Sequence, residues 1–145
     1  MPRTKRALTL CLIGMQAVAV LLTACASSTD EFFKVGEDSI PTLDTVAGDK
    51  KIVGTRTGFE NGTSYKYVQY GPGVTKQEMQ QYIDALEGIG YVQIGETEVN
   101  GSEQKVLMGS NSVTSGKMIL VNITLDPEDV TQIDYTVEDG LVERG

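Results

Sequence analysis

The sequence predicts an α+β fold: a mostly antiparallel sheet of about six strands, in the order ββαββββ, with one helix packed on one face. Three observations carry this expectation. One segment near the middle has the period of an amphipathic helix and a complete start signal. Segments rich in β-branched and aromatic residues flank it, two before and four after. The last two of these alternate apolar and polar residues, as strands with one packed face and one wet face do.

The elements follow in order. Lys50 to Thr57 reads as the first strand and Tyr65 to Tyr70 as the second. Asn61-Gly62 between them tolerates the positive φ angles of a tight hairpin turn, so the two should pair. Gly71-Pro72-Gly73 breaks the second strand. Thr75 and Glu78 form a capping box, and Met79, Tyr82, Ile83 and Leu86 follow as one apolar stripe. Gly88 and Gly90 supply the helix stop.

Four strands come next. Tyr91 to Glu98 puts Val92 and Ile94 on one side. Asn100-Gly101 turns into Lys105 to Met108, and Ser110 to Gly116 reads as a flexible loop. Met118 to Leu125 carries Ile119, Val121, Ile123 and Leu125 on one face and Met118, Leu120, Asn122 and Thr124 on the other. Asp126 to Asp129 turns the chain, and Thr131 to Val137 points Ile133, Tyr135 and Val137 inward.

The N-terminus reads as an address. Arg3, Lys5 and Arg6 precede an apolar run from Ala7 to Leu22, which at 16 residues is short for a membrane span. A basic front, an apolar middle and a small-residue end make the secretory signal pattern; a retained single-span anchor is the alternative. The run closes on Leu22-Thr23-Ala24-Cys25, an aliphatic residue, two small residues and Cys. This segment resembles the lipobox of bacterial lipoproteins. The resemblance implies cleavage between Ala24 and Cys25, diacylglycerol on the Cys25 thiol, and a membrane anchor facing outside the cytoplasm. Two acyl chains hold a protein stably, at about 0.8 kcal/mol per buried CH₂.

The expected organisation is therefore a signal peptide over 1–24, a lipidated Cys and flexible tether over 25–39, and a single α+β domain over 40–145. The tether is read from the absence of periodicity and from its Ser, Thr, Asp, Glu and Gly content, with Phe32 and Phe33 exceptional in it. Those two rings could dock on the membrane interface or on the domain. Pro41 to Ile52, then Tyr65-Lys66-Tyr67, then Tyr82 to Leu86 and Gly88 to Val92 resemble small uncharacterised lipoproteins of Gram-positive bacteria. That resemblance implies fold and location, and no activity.

Composition narrows the chemistry. The 145 residues suit one domain, and they include no His. Ser-His-Asp and Cys-His catalysis and His-bound zinc are thereby excluded. The formal charge is −8, which argues against nucleic acid as a partner. Removal of residues 1–24 takes three basic residues and leaves nine against 20 acidic ones, a net charge of −11. Such acidity keeps a secreted domain soluble. Of the two cysteines, Cys11 leaves with the signal peptide, so no internal disulfide can form.

The remaining motifs have ordinary readings. Ser102-Glu103-Gln104-Lys105 matches S-x-x-K, but it follows a turn and lacks the partner motifs of a Ser-Lys catalyst, so a solvated turn is the better reading. The Gly71–Thr75 loop lacks phosphate-loop spacing. Asp126, Glu128, Asp129 and Asp134 lack Ca²⁺-loop spacing and read as a hairpin turn and its strand. With 20 acidic residues, pairs of carboxylates arise by accident, so a glycosidase pair cannot be read from their number.

Tyr65 and Tyr67 share one strand face and Tyr70 takes the other. Together with Leu120 and Asn122, Tyr65 and Tyr67 are the candidate binding surface, against the plainer reading of strand tyrosines that cover core. The expectation is a non-catalytic module that binds an envelope protein or polymer, without cofactor or metal. The alternative is a small envelope hydrolase or lyase using carboxylate, Tyr or Lys groups. A concave pocket with convergent polar groups and a shifted pKa separates the two.

Overall fold

The computed structural model describes residues 32–99 and 103–143. The segments expected to be a signal peptide (1–24, with Ala24) and a lipidated Cys25, the part of the expected tether over 26–31, the expected Asn100-Gly101 turn and Ser102 lie outside the described residues. Among those residues no helix is long and apolar enough to cross a membrane.

The chain opens with a short hairpin, β1 (Phe32–Val35) and β2 (Asp38–Pro41), and a single-turn helix, α1 (Asp44–Ala47). β3 (Ile52–Glu60) and β4 (Thr63–Tyr70) follow, then the helix α2 (Lys76–Gly88). β5 (Val92–Val99), β6 (Glu103–Asn111), β7 (Lys117–Leu125) and β8 (Thr131–Asp139) complete it. The six strands from β3 onward form one antiparallel sheet in the spatial order β3-β4-β8-β7-β6-β5, and β1 and β2 form a separate two-stranded sheet. The α+β class, the ββαββββ order within the main sheet and the antiparallel pairing agree with the sequence expectation.

Local chemistry explains most elements. Asn61 and Gly62 both have positive φ, 51° and 79°, and close the β3–β4 hairpin. Thr75 accepts from the Glu78 backbone N–H while the Glu78 carboxylate accepts from the Thr75 N–H, each at 3.1 Å, so the capping box forms in full. Met79, Tyr82, Ile83 and Leu86 are all buried. They pack α2 over the face built from Val68 and Tyr70 of β4, Met108 of β6, Val121 and Ile123 of β7, and Ile133 and Tyr135 of β8. At about 25 cal/mol per Å² of apolar surface, this one-sided core is the main stabilising contribution.

Three expectations need correction. The tether does not extend to residue 39, and the domain does not begin at 40, because Phe32–Pro41 is the β1–β2 hairpin. Phe33, Val35 and Ile40 are buried on the helix side of the sheet, while Phe32 is 57% exposed. An isolated two-stranded hairpin is marginal in water, so this one depends on what it buries. Its four-residue strands are too short to stand out by period alone. Second, α1 adds a helix to the one expected. Third, Ser110 and Asn111 belong to β6 rather than to a loop, and Ser110 is buried opposite Ile119. The loop that remains is tied down: the buried Asp38 carboxylate accepts from the Ser112 hydroxyl and, at 3.0 Å, from the Val113 N–H.

Candidate functional site

Strand alternation sends every second side chain of the main sheet to the side away from α2. The register then sets them in rows. Tyr67 of β4 lies opposite Asp134 of β8, Asp134 opposite Asn122 of β7, and Asn122 opposite Leu107 of β6. The next row runs Tyr65, Thr136, Leu120 and Gly109. The four residues named from sequence, Tyr65, Tyr67, Leu120 and Asn122, thus stand in two adjacent rows of the face away from α2, which carries no helix among the described residues. All four are partly exposed.

At the β3 end the face is aromatic. Tyr65 lies across Gly58, where a Cβ would come within 2.4 Å of its hydroxyl, so only glycine leaves room for the ring there. Tyr65 and Tyr67 stack with centroids 4.8 Å apart and planes 19° apart, and the Arg56 guanidinium sits 5.8 Å from the Tyr65 ring centre. Gln69, over Gly54, donates its amide N–H to Gln132 Oε1 at 3.0 Å. Gln132 in turn donates to Asp134 Oδ1 at 2.6 Å. Burial pushes the Asp134 carboxyl above the usual aspartate range; the Gln132 bond and the Lys105 charge offset part of that rise.

A trough of about 470 Å³ runs between these groups, lined by Tyr67, Leu107, Leu120, Asn122, Gln132, Asp134 and Thr136. A second groove of about 480 Å³ adjoins it across Leu107 and Leu120 and is mostly aliphatic, with Val92, Ile94, Met118, Leu141 and Val142. Val92 and Ile94 do share one side, as expected, and that side is the helix-free one. A shift in the β5–β6 register between Gln93 and Gly95 brings Ile94 over Gly109.

In chemical terms the trough offers an aromatic wall, an aliphatic floor, amides and one carboxylate. Asp134 hydrogen-bonds to an amide, and the described residues give it no basic or nucleophilic partner at hydrogen-bond distance. The acidic turn at Asp126–Asp129 is separate. Asp126 Oδ1 accepts from the Glu128 N–H at 3.1 Å, and Thr131 bonds the Asp126 backbone, while Glu128 and Asp129 are exposed, as in an ordinary surface turn. The glycine loop likewise spends its donors on the fold: Gly71 N–H donates to Lys51 O and Gly73 N–H to Pro127 O.

Sequence reasoning missed Leu107, Gln132 and Thr136 as site residues and considered Asp134 only with the acidic turn. The alternation of β8 already put Gln132, Asp134 and Thr136 opposite the inward residues. The pairing of β8 with β4, which sets them beside Tyr67, joins distant segments and leaves no local signal. No family model matches the chain, and no curated protein or solved structure shows significant similarity to it.

Proposed function

We propose that this protein is a lipoprotein anchored through Cys25 outside the cytoplasmic membrane, and that its helix-free sheet face is a non-catalytic binding surface for a protein or polymer of the cell envelope. The anchor rests on the basic front, the apolar run and the Leu22-Thr23-Ala24-Cys25 box. The binding role rests on one observation above the others: among the described residues the main sheet carries a helix on one side, and its other side joins stacked tyrosines, side-chain amides and aliphatic grooves in one surface.

Two measurements test this. Mass spectrometry of native material should find Cys25 diacylated, and Cys25→Ser should leave the membrane pellet. A photo-crosslinking side chain at position 120, on the uncovered face, should capture an envelope component in intact cells. The same group at position 81, on the exposed side of α2, should not. Equal labelling from both positions, or none from 120, removes the binding surface from consideration.

One observation favours the second reading, a small hydrolase or lyase. Asp134 is a carboxyl with raised proton affinity beside Tyr67 in a trough. On that reading Asp134→Asn abolishes turnover of an envelope polymer while its binding persists.

A further inference from the structure

The aliphatic groove already holds a piece of peptide. Gly140, with φ of 136°, turns the chain off β8, and residues 141–143 continue along the groove. The Val142 N–H donates to Asn111 Oδ1 at 2.8 Å, while the side chains of Val142, Ile94 and Leu120 converge over Gly109. Leu141 remains 68% exposed at its rim. The groove therefore accepts peptide backbone with an aliphatic side chain, held by a side-chain amide.

The adjoining trough has the opposite character. Asp134 Oδ1 is held by Gln132, and Oδ2 has no hydrogen-bond partner among the described residues. The ion pairs among those residues are Lys50 with Glu78 and Lys117 with Asp139, so Asp134 has none. A half-buried carboxylate without an ion-pair partner favours a cation. The Tyr67 ring lines the same trough and adds a face a cation can approach. Asn122 and Thr136 have side chains without protein partners among the described residues, suited to bonding a backbone. Lys105 on β6 and Arg56 on β3 share this face and moderate its charge, but the chain beyond residue 24 carries −11 overall.

From these two neighbouring surfaces we infer that the face takes an extended segment of a protein partner, with a Lys or Arg against Asp134 and an aliphatic side chain in the groove beside Leu107 and Leu120. The inference rests on the reading of this face as a binding surface and adds the chemistry of its occupant. β8 and β6 are two strand spacings apart, about 10 Å, which an extended peptide covers in roughly three residues.

The test uses the full chain in detergent micelles and capped alanine-based hexapeptides carrying one Lys and one Leu two or three residues apart. Matched peptides with Glu for Lys or Ser for Leu serve as controls, beside a β-linked N-acetylglucosamine hexamer. The Lys–Leu peptides should shift the Asn122 side-chain amide and the Leu107 and Leu120 methyl resonances saturably. Asp134→Asn and Leu120→Ser, each checked for an unchanged spectrum elsewhere, should weaken that binding at least tenfold. No shift with any Lys–Leu peptide, or equal affinity in Asp134→Asn, overturns the inference. Shifts with the oligosaccharide alone also overturn it and leave the binding surface standing. Absence of crosslinks from position 120 in cells removes the surface itself.

Discussion

The phenol hydroxyls of Tyr82 on α2 and Tyr135 on β8 meet 2.7 Å apart inside the core, and the Tyr82 hydroxyl also donates to the Pro41 carbonyl at 2.6 Å. A hydroxyl has one proton. Since Tyr82 gives its proton to Pro41, Tyr135 must donate to Tyr82. The chain of bonds joins the helix, the main sheet and the end of the N-terminal hairpin. Burial pushes both phenols far above the ordinary tyrosine range, which keeps them neutral donors at any physiological pH.

This polarity makes the two tyrosines unequal. Tyr135→Phe removes one bond and leaves the Tyr82–Pro41 bond intact, at a cost of about 1 kcal/mol. Tyr82→Phe strands both the Pro41 carbonyl and the Tyr135 hydroxyl in the core, at about 2–4 kcal/mol. The double variant removes the stranded hydroxyl, so it should be no less stable than Tyr82→Phe alone. Urea denaturation of the three variants checks this; additive losses would show that the hydroxyls do not act through one another.

The N-terminal hairpin is part of the folded unit, and Phe33 is its anchor. Its ring is 6% exposed, packs edge-on to Tyr135 with centroids 5.8 Å apart, and carries the Lys66 ammonium 4.2 Å from its centre. Phe33→Ala should cost about 3–4 kcal/mol in thermal or urea unfolding. Phe32→Ala, one residue away and facing water, should change stability by less than about 0.5 kcal/mol. Similar small effects at both positions would mean that the segment is a tether after all.

Asp38 holds the 112–116 loop to that hairpin. Ser112→Ala removes one bond to a buried carboxylate and should cost about 1.5–3 kcal/mol. Asp38→Ala removes both loop bonds and should also raise amide exchange at Val113 and Thr114. Hydrogen-exchange mass spectrometry over this peptide gives the readout. Exchange unchanged from wild type would show that the loop is held by other contacts.

Lys50 links two carboxylates with opposite pH behaviour. Its backbone N–H donates to Asp44 Oδ1 at 3.0 Å, and its ammonium pairs with Glu78 Oε2 at 2.5 Å. Burial pushes the Glu78 carboxyl up, but the Lys50 pair and the Thr75 bonds together outweigh it and hold the group below the usual glutamate range. Its stabilising effect is therefore present above about pH 4.3 and is lost as pH falls through the lower folded value. Asp44 is the reverse. Burial, with Asp49 nearby, raises it against the Lys50 bond, and its Oδ2 is buried without a partner. Its charged form opposes folding, and that penalty grows as pH rises through the usual aspartate value toward the higher folded one.

Two variants should consequently separate with pH. Glu78→Gln should lose up to about 1 kcal/mol at pH 7, less in high salt, and match wild type near pH 3. Asp44→Asn should match wild type near pH 3 and be more stable at pH 7. Urea midpoints at the two pH values decide both, and a shift of the same sign for the two variants at pH 7 would refute the assignment.

Short-range chemistry made much of this molecule legible from sequence. The capping box, the Met79–Leu86 stripe, the Asn61-Gly62 turn and the alternation of β7 and β8 are written in windows of two to ten residues, where backbone geometry and side-chain type decide the outcome. The Leu22–Cys25 box is likewise a local pattern, and the proposal of an anchor comes from sequence alone. The Phe32–Pro41 hairpin was illegible because its strands are stable only against a core assembled from distant residues.

The candidate site belongs to the same second kind. Alternation told which residues of β4, β7 and β8 share a side, and so Tyr65, Tyr67, Leu120 and Asn122 could be named. Only the tertiary structure set Asp134 beside Tyr67, through a β4–β8 pairing between residues far apart in the chain, and only it laid Val142 over Gly109. Strand order is chosen by how the whole apolar face is best buried, a property of the complete chain that no local window contains.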